Sequence, residues 1–426
     1  MTGKVLIKGG TVLSLDRAVG NLVEGDVLIE DGIIAEVGMS LRARGAEVVD
    51  AADTIVMPGF VDTHRHLWQS LLRNVNTTSG PDPSAPHTFG PEVSGRYTPD
   101  DIYAATLAGL LQALEAGITT VVDWCDIGGD AAHFEAALTA HADSGARTVF
   151  VPSQQGATPG GDATLAFASP DLVEAELDEV APRWVQAREV GLRIHAHAGT
   201  AAAAGGEVAE LGRRGVLGPD VTLSHCTRLS DADFDAIARS STAVALTPAS
   251  DMAAGAGPPP MQQLIDRGIR PGLGVGTEAL TPRDVFAQMR AAISVQHATL
   301  FDLKLAGKGG IPNLLGTRDV IRYATIDGAK VAGLAGITGS LTPGKRADVI
   351  VLRSDRPNIA PVNDPIGAVV WGMDTSNIDW VFVGGASLVE RGELTADVAR
   401  ARALVMAATG QIAPAGLPAG AGARQR

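Results

Sequence analysis

Cysteine is nearly absent: Cys125 and Cys226 are the only two in 426 residues, far apart and without a CxxC pair. That excludes a disulfide framework and fits two buried thiols in a reducing compartment. Aromatic residues are scarce at 4%, and no stretch has the length and apolar character of a signal peptide or a transmembrane helix. A cytoplasmic location is the expectation. An excess of positive charge is lacking too. The formal net charge is −14, whereas nucleic acid and anionic membrane surfaces both require clustered Lys and Arg. No GxxxxGK(S/T) phosphate cradle occurs anywhere.

What is present is a chain rich in Ala, Val, Leu and Gly, 45% hydrophobic, a composition that suits parallel strands and close-packed helices. Its length accommodates one barrel of about 250 residues with an appendage. Residues 1–57 read as short strands, with Gly9-Gly10 as a turn and Asp31-Gly32 as a two-residue hairpin turn. From residue 58 to 338 the pattern becomes strand-then-helix. Thr98-Pro99-Asp100-Asp101, Ser169-Pro170-Asp171, Ser230-Asp231 and Thr281-Pro282-Arg283-Asp284 each read as a helix start. Seven or eight such units predict a (β/α)₈ TIM barrel in an α/β fold. Residues 339–410 return to β character and are expected to join the N-terminal strands in a small β-sandwich, leaving 411–426 as a disordered tail. Two loops stand out: Asn76 to Tyr97, read as a lid or substrate wall, and Ser250 to Met261, read as semi-rigid.

The barrel strands end in chemistry. Val61-Asp62-Thr63-His64-Arg65-His66 places two imidazoles at i and i+2, which project to one side of a strand. Arg193-Ile194-His195-Ala196-His197, Val221-Thr222-Leu223-Ser224-His225 and Gly274-Val275-Gly276-Thr277-Glu278 end alike. Histidines and a carboxylate at the C-terminal ends of separate strands predict a metal-centred active site. His197 lies nearer the strand end than His195, which is expected one layer deeper as a hydrogen-bonded core residue. Gln69 and Arg73, after the histidine pair, and Ser153, Gln154 and Gln155, after the third strand, are candidate substrate contacts. His133 and His141 are expected on a helix surface, His297 in the last barrel helix, and His87 in the long loop.

With Pro58-Gly59-Phe60-Val61-Asp62-Thr63-His64-Arg65-His66, Gly117-Ile118-Thr119-Thr120 and Gly344-Lys345-Arg346-Ala347-Asp348-Val349 in this order, the chain resembles the amidohydrolase superfamily. Within it, the resemblance is to the branch of cytosine and guanine deaminases, adenosine-type nucleoside deaminases and triazine hydrolases. The resemblance implies that His64, His66 and His197 are metal ligands, that His225 ligates or touches substrate, and that Glu278 binds the metal and shuttles a proton. It also implies one divalent ion, zinc with iron as the alternative. The dinuclear members use a barrel lysine, and there is none between Lys8 and Lys304.

Three departures qualify this. Glu278 stands where the family has Asp, Thr200 where deaminases have Glu, and Ala166-Phe167-Ala168-Ser169-Pro170 where a His-Ala-Pro-Tyr element is usual. The expected reaction is hydrolysis of a C–N bond in a small, heterocyclic nitrogen compound by a metal-activated water, with Glu278 and His225 as catalytic groups and Thr200 and His225 among the substrate contacts. The alternatives are a non-hydrolytic lyase or isomerase, a cyclic-amide ring opener, and a catalytically silent metal- or ligand-binding barrel. The expected partners are a small-molecule substrate and copies of the chain itself in a dimer or tetramer.

Overall fold

A computed structural model of the chain describes residues 3–75, 91–153, 163–172, 176–200, 205–279, 281–308 and 312–412. The chain ends build one sheet and the middle another. Strands β1 (Lys4–Leu13), β2 (Asn21–Glu30), β3 (Ile33–Gly38), β4 (Glu47–Asp50) and β5 (Thr54–Pro58) come from the N-terminal part. They are followed by β6 (Phe60–Arg65), β7 (Ile118–Cys125), β8 (Arg147–Pro152), β9 (Ala163–Ala168), β10 (Arg193–Ala198), β11 (Val221–His225), β12 (Ala243–Leu246) and β13 (Gly272–Leu273). The C-terminal part adds β14 (Val349–Arg353), β15 (Ile378–Val383), β16 (Ala386–Glu390) and β17 (Glu393–Leu394).

The first sheet runs β17-β16-β15-β14-β5-β1-β2-β3, with β4 on β1. Its N- and C-terminal halves meet where β5 pairs antiparallel with β14, Met57 opposite Ile350. The expected union of the two chain ends is therefore present, as one hydrogen-bonded sheet around a core of Ile7, Val27, Ile29, Val56, Val349 and Phe382. Asp31 and Gly32 both have positive φ (50° and 78°), the signature of the tight hairpin turn read from the sequence. A side chain on Gly32 would meet the Gly384 carbonyl at 2.5 Å. Gly9-Gly10, by contrast, is a bulge inside one continuous strand rather than a turn, with register shifts on both sides of Gly10.

The eight central strands are parallel in the order β13-β12-β11-β10-β9-β8-β7-β6. The sheet closes where Arg65 bridges Gly276, with His66 N donating to Gly276 O (2.9 Å) and Gly276 N to His64 O (2.8 Å). Phe60, Ile194, Ala196, Val221 and Leu223 face the surrounding helices, while Val61, Val122, Val149 and Ala166 face inward. Ala329 and Ala332, from the helix Ile326–Val331 and the residue after it, plug the end where the strands begin. A bidentate ion pair, Arg147 Nε and Nη2 to Asp348 at 2.7 and 3.0 Å, fastens barrel to terminal sheet; both side chains are buried. The Gly-Lys-x-Ala-Asp run thus has a structural use.

The helix Pro99–Glu115 starts as expected, with Thr98 and Asp101 forming a capping box. Thr98→Ala removes the hydroxyl that accepts from Asp101 N and should lower stability by about 1 kcal/mol, read from a urea melt. Other starts differ. Ser169 is tied down instead, its N donating to His195 O (2.8 Å) and its Oγ accepting from Trp184 Nε1 (2.9 Å), and the helix begins at Leu177. Asp284, not Thr281, caps the helix Val285–Leu305. Pro248–Ala253 is helical, so only the later part of the Ser250–Met261 stretch is loop. The helix Val398–Ile412, not foreseen, lays Leu404, Val405, Ala408 and Ile412 against Trp68, Leu71 and Leu72. Residues 76–90 of the long loop, His87 among them, and 413–426 of the tail lie outside the described residues. Among the described residues no helix is long and apolar enough to cross a membrane.

Candidate metal centre

Strict alternation from the inward Val61 would turn His64 outward. The ladder instead advances from Asp62 to Arg65 on β6 while β7 advances only from Val121 to Asp123. This bulge re-aims the strand end, so that Arg65 points outward and His64 and His66 point in. On β10 no such device is needed: Ile194, Ala196 and Ala198 pack outward, which leaves His195 and His197 facing the interior. The ligand atoms of His64, His66 and His197 lie within 4.8 Å of one another, and all three residues are buried. The His64 ring is 5.0 Å from those of both His66 and His197. His225 also arrives by a backbone irregularity. Alternation would place it outward with Val221 and Leu223, but His225 and Cys226 are left-handed (φ 71° and 57°). The His225 ring lies 4.9 Å from His64 and 5.0 Å from His197. Consecutive non-glycine residues of this kind are strained and concentrate at functional sites.

The outer contacts suit metal binding. Asp126 Oδ1 accepts from His66 Nδ1 (3.1 Å) and from Trp68 Nε1 (2.6 Å), which fixes the ring orientation. His64 Nδ1 meets Ser224 Oγ at 3.2 Å, and its Nε2 is buried with no hydrogen-bond partner. A buried, unpaired imidazole nitrogen is costly unless something absent from the chain binds it. Burial, then the neighbouring His225, His197 and His66, hold the His64 pKa well below its ordinary value, so the ring is neutral, the form a metal takes. Burial would lower the His66 pKa as well, but Asp126 outweighs it and the net shift is upward. Three imidazoles suit a borderline-soft divalent cation such as zinc.

The structure does not bring Glu278 to the histidines, which corrects its expected place as a metal ligand. Its Oε1 accepts from Arg65 Nε (2.9 Å) and Nη2 (2.5 Å), and its Oε2 from Arg73 Nε (2.6 Å). The cause is Gly276, whose positive φ (77°) ends the alternation of the last strand. The carboxylate consequently lies on the outer side, near Gly109 of the helix Pro99–Glu115. Burial raises the Glu278 pKa, Arg65 and Arg73 lower it, and the arginines win. Asp62, 3.5 Å from Arg65 in the same buried group, is pushed up to about 6 by burial.

Arg73 is thereby committed to Glu278 rather than open to substrate, and buried Gln69 accepts a hydrogen bond from Thr277 Oγ1. Ser153 is exposed and donates to Ile127 O (3.0 Å). Gln154 and Gln155 lie outside the described residues. Thr200 is half-buried just beyond the end of β10. His195 is a core residue as expected, but neither ring nitrogen has a partner, and burial pushes its pKa down to about 3. His141 is buried rather than on the surface, bridging Asp123 (2.8 Å) and Thr148 (3.1 Å). His133 is largely buried against the Tyr97 carbonyl (2.9 Å). His297 lies in the helix Val285–Leu305 and reaches Leu315 O (2.9 Å).

Three residues of the centre were not foreseen. Asp126 immediately follows β7, where the strand-end rule used for the histidines and Glu278 would have found it. Asp251 accepts from His225 Nδ1 at 2.7 Å and sits in a helix after β12, with no pattern in the sequence pointing to it. Trp124 stacks on His197, ring centroids 4.1 Å apart and 23° between planes; in an apolar strand its inward direction is not legible.

A model of the amidohydrolase family matches residues 55–388. The 5'-deoxyadenosine deaminase of Methanosarcina mazei is 28% identical over 418 residues, covering 91% of this chain and 93% of that protein. The 5-methylthioadenosine/S-adenosylhomocysteine deaminase of Acetivibrio thermocellus is 27% identical, covering 92% and 95%. Among solved structures, a triazine hydrolase variant superposes with a TM-score of 0.84 at 22% identity over 96% of this chain and 99% of its own. An adenosine deaminase from Xanthomonas campestris with bound zinc gives 0.79 at 19% identity over 96% and 98%. At such identities the structural likeness concerns the fold.

Proposed function

Because this chain belongs to the amidohydrolase family, we propose that it is a metal-dependent hydrolase cleaving a C–N bond of a small nitrogen heterocycle. Deamination of an adenosine-type nucleoside is the reaction that its relatives' names favour. The observation that carries the reading is the cluster of His64, His66 and His197, buried at the open end of the barrel with His64 Nε2 unpaired. These three residues would hold one zinc ion. When bound in such a site, zinc lowers the pKa of a water to about 7 and so supplies a nucleophile at neutral pH.

The chain's own groups do the rest. Asp126 keeps the His66 ring turned to the site, and Trp124 holds the His197 ring against rotation. His225 borders the same point and makes the hydrogen bond to the group attacked. Asp126→Ala should weaken zinc binding about 10–100-fold, the range for outer partners of ligand histidines, measured by competition with a chromogenic chelator.

The reading is tested by elemental analysis with ammonia release from 5'-deoxyadenosine, 5-methylthioadenosine and S-adenosylhomocysteine. One zinc per chain and ammonia from at least one nucleoside are expected. Protein that takes up no divalent metal would end it. A second reading is favoured by Glu278, since no carboxylate among the described residues joins the three histidines: opening of a cyclic amide, or a non-hydrolytic elimination or isomerisation. Product mass separates these, because ring opening adds one water and isomerisation adds nothing.

A further inference from the structure

With Glu278 turned away, the carboxylate that bonds His225, as Asp126 bonds His66, is Asp251. It is buried, its N donates to Thr247 O (2.9 Å), and its own carbonyl accepts from Ala256 N (2.9 Å), so its backbone is held at both ends. Its Oδ1 lies 2.7 Å from His225 Nδ1, while the Thr247 hydroxyl lies 3.2 Å from the same nitrogen. A carboxylate can only accept, and a bond to a carboxylate at this distance is stronger than one to a hydroxyl at the longer one. Nδ1 must then carry the hydrogen. The second oxygen, Oδ2, is buried without a partner, so no side chain among the described residues competes for the group.

We propose that Asp251, assisted by Thr247, is a positioning residue that fixes His225 as the tautomer protonated on Nδ1. A bare Nε2 is thereby presented in a ring 4.9 Å from His64 and 5.0 Å from His197. That nitrogen accepts a hydrogen bond from an N–H or O–H of whatever occupies the site. The left-handed backbone at His225 brings the ring inward, and Asp251 sets which nitrogen faces the occupant. This assignment rests on the reading of the site as a hydrolytic metal centre, but its main readout does not.

The test uses zinc-loaded protein labelled with ¹⁵N-histidine. Two-bond ¹H–¹⁵N correlations report the tautomer of each ring, and His225 is assigned by the signals lost in His225→Gln. Wild type should show His225 protonated on Nδ1. Asp251→Asn should keep that pattern, because the amide oxygen still accepts, whereas Asp251→Leu should move His225 toward the Nε2–H form with zinc content unchanged. On a nucleoside that releases ammonia, Asp251→Leu should lower kcat about tenfold or more with a smaller change in KM, and Asp251→Asn should recover most of it. His225 protonated on Nε2 in wild type, or unchanged in Asp251→Leu, would overturn the proposal. If no nucleoside releases ammonia while the tautomers behave as stated, the deaminase reading fails and the role of Asp251 stands.

Discussion

Glu278→Ala is expected to cost the folded chain about 3–5 kcal/mol, because it strips a buried guanidinium of its main counter-charge. Arg65 is fully buried and donates two hydrogen bonds to Glu278; its other acid, Asp62, is 3.5 Å away. The single carboxylate also holds Arg73 and so ties together the end of the last barrel strand, the end of β6 and the turn Leu67–Leu72. Glu278→Asp, one methylene shorter, cannot reach both arginines and should fall between wild type and alanine. A denaturant melt at constant zinc gives the ranking. A melt unaltered by Glu278→Ala, together with loss of zinc, would restore the carboxylate to the metal. The same contact makes a pH statement. The folded-state pKa of Glu278 lies below its ordinary 4.5, so its contribution is complete above that value. It is lost as pH falls through the lower, folded value. Wild type should therefore lose more stability on acidification below about pH 4.5 than Glu278→Ala does.

His64→Ala is expected to empty the metal centre. It removes the imidazole whose Nε2 has no other partner and whose ring touches those of His66, His197 and His225. Zinc affinity should fall by more than the about 10–100-fold that loss of an outer partner causes, so that little zinc survives dialysis, and ammonia release should fall with it. The fold should survive, because His64 makes only one side-chain hydrogen bond among the described residues, to Ser224. Far-UV circular dichroism checks that the loss is local. Full zinc occupancy in the variant would remove His64 from the ligand set.

What the sequence disclosed depended on how regular the backbone is. Repeated strand–helix units gave the barrel, because inward and outward faces differ in polarity along Arg193–Ala198 and similar strands. The His64 and His66 pair was legible from its i, i+2 spacing, though the bulge that turns it inward was not. Glu278 was misplaced for the complementary reason. Its place was read from the strand end and from the resemblance, and neither shows that the left-handed backbone of Gly276 turns the carboxylate away. His225 sits at a strand end in the same way, and there a positive φ turns the ring toward the site. Asp126 and Asp251 escaped because they act through histidines, and a contact between Asp251 and His225 is a property of packed loops rather than of sequence interval.

The pairing of β5 with β14 bears on how the protein is made. During synthesis Thr54–Pro58 leaves the ribosome long before Val349–Arg353, the strand that flanks it. Until then one margin of a wholly buried strand is bare, and only Gly59 separates it from the strand bearing the histidine pair. Such a margin recruits foreign strands. Nascent chains halted ahead of Val349 should therefore be the ones that chaperones hold, and release should follow translation of the last four strands.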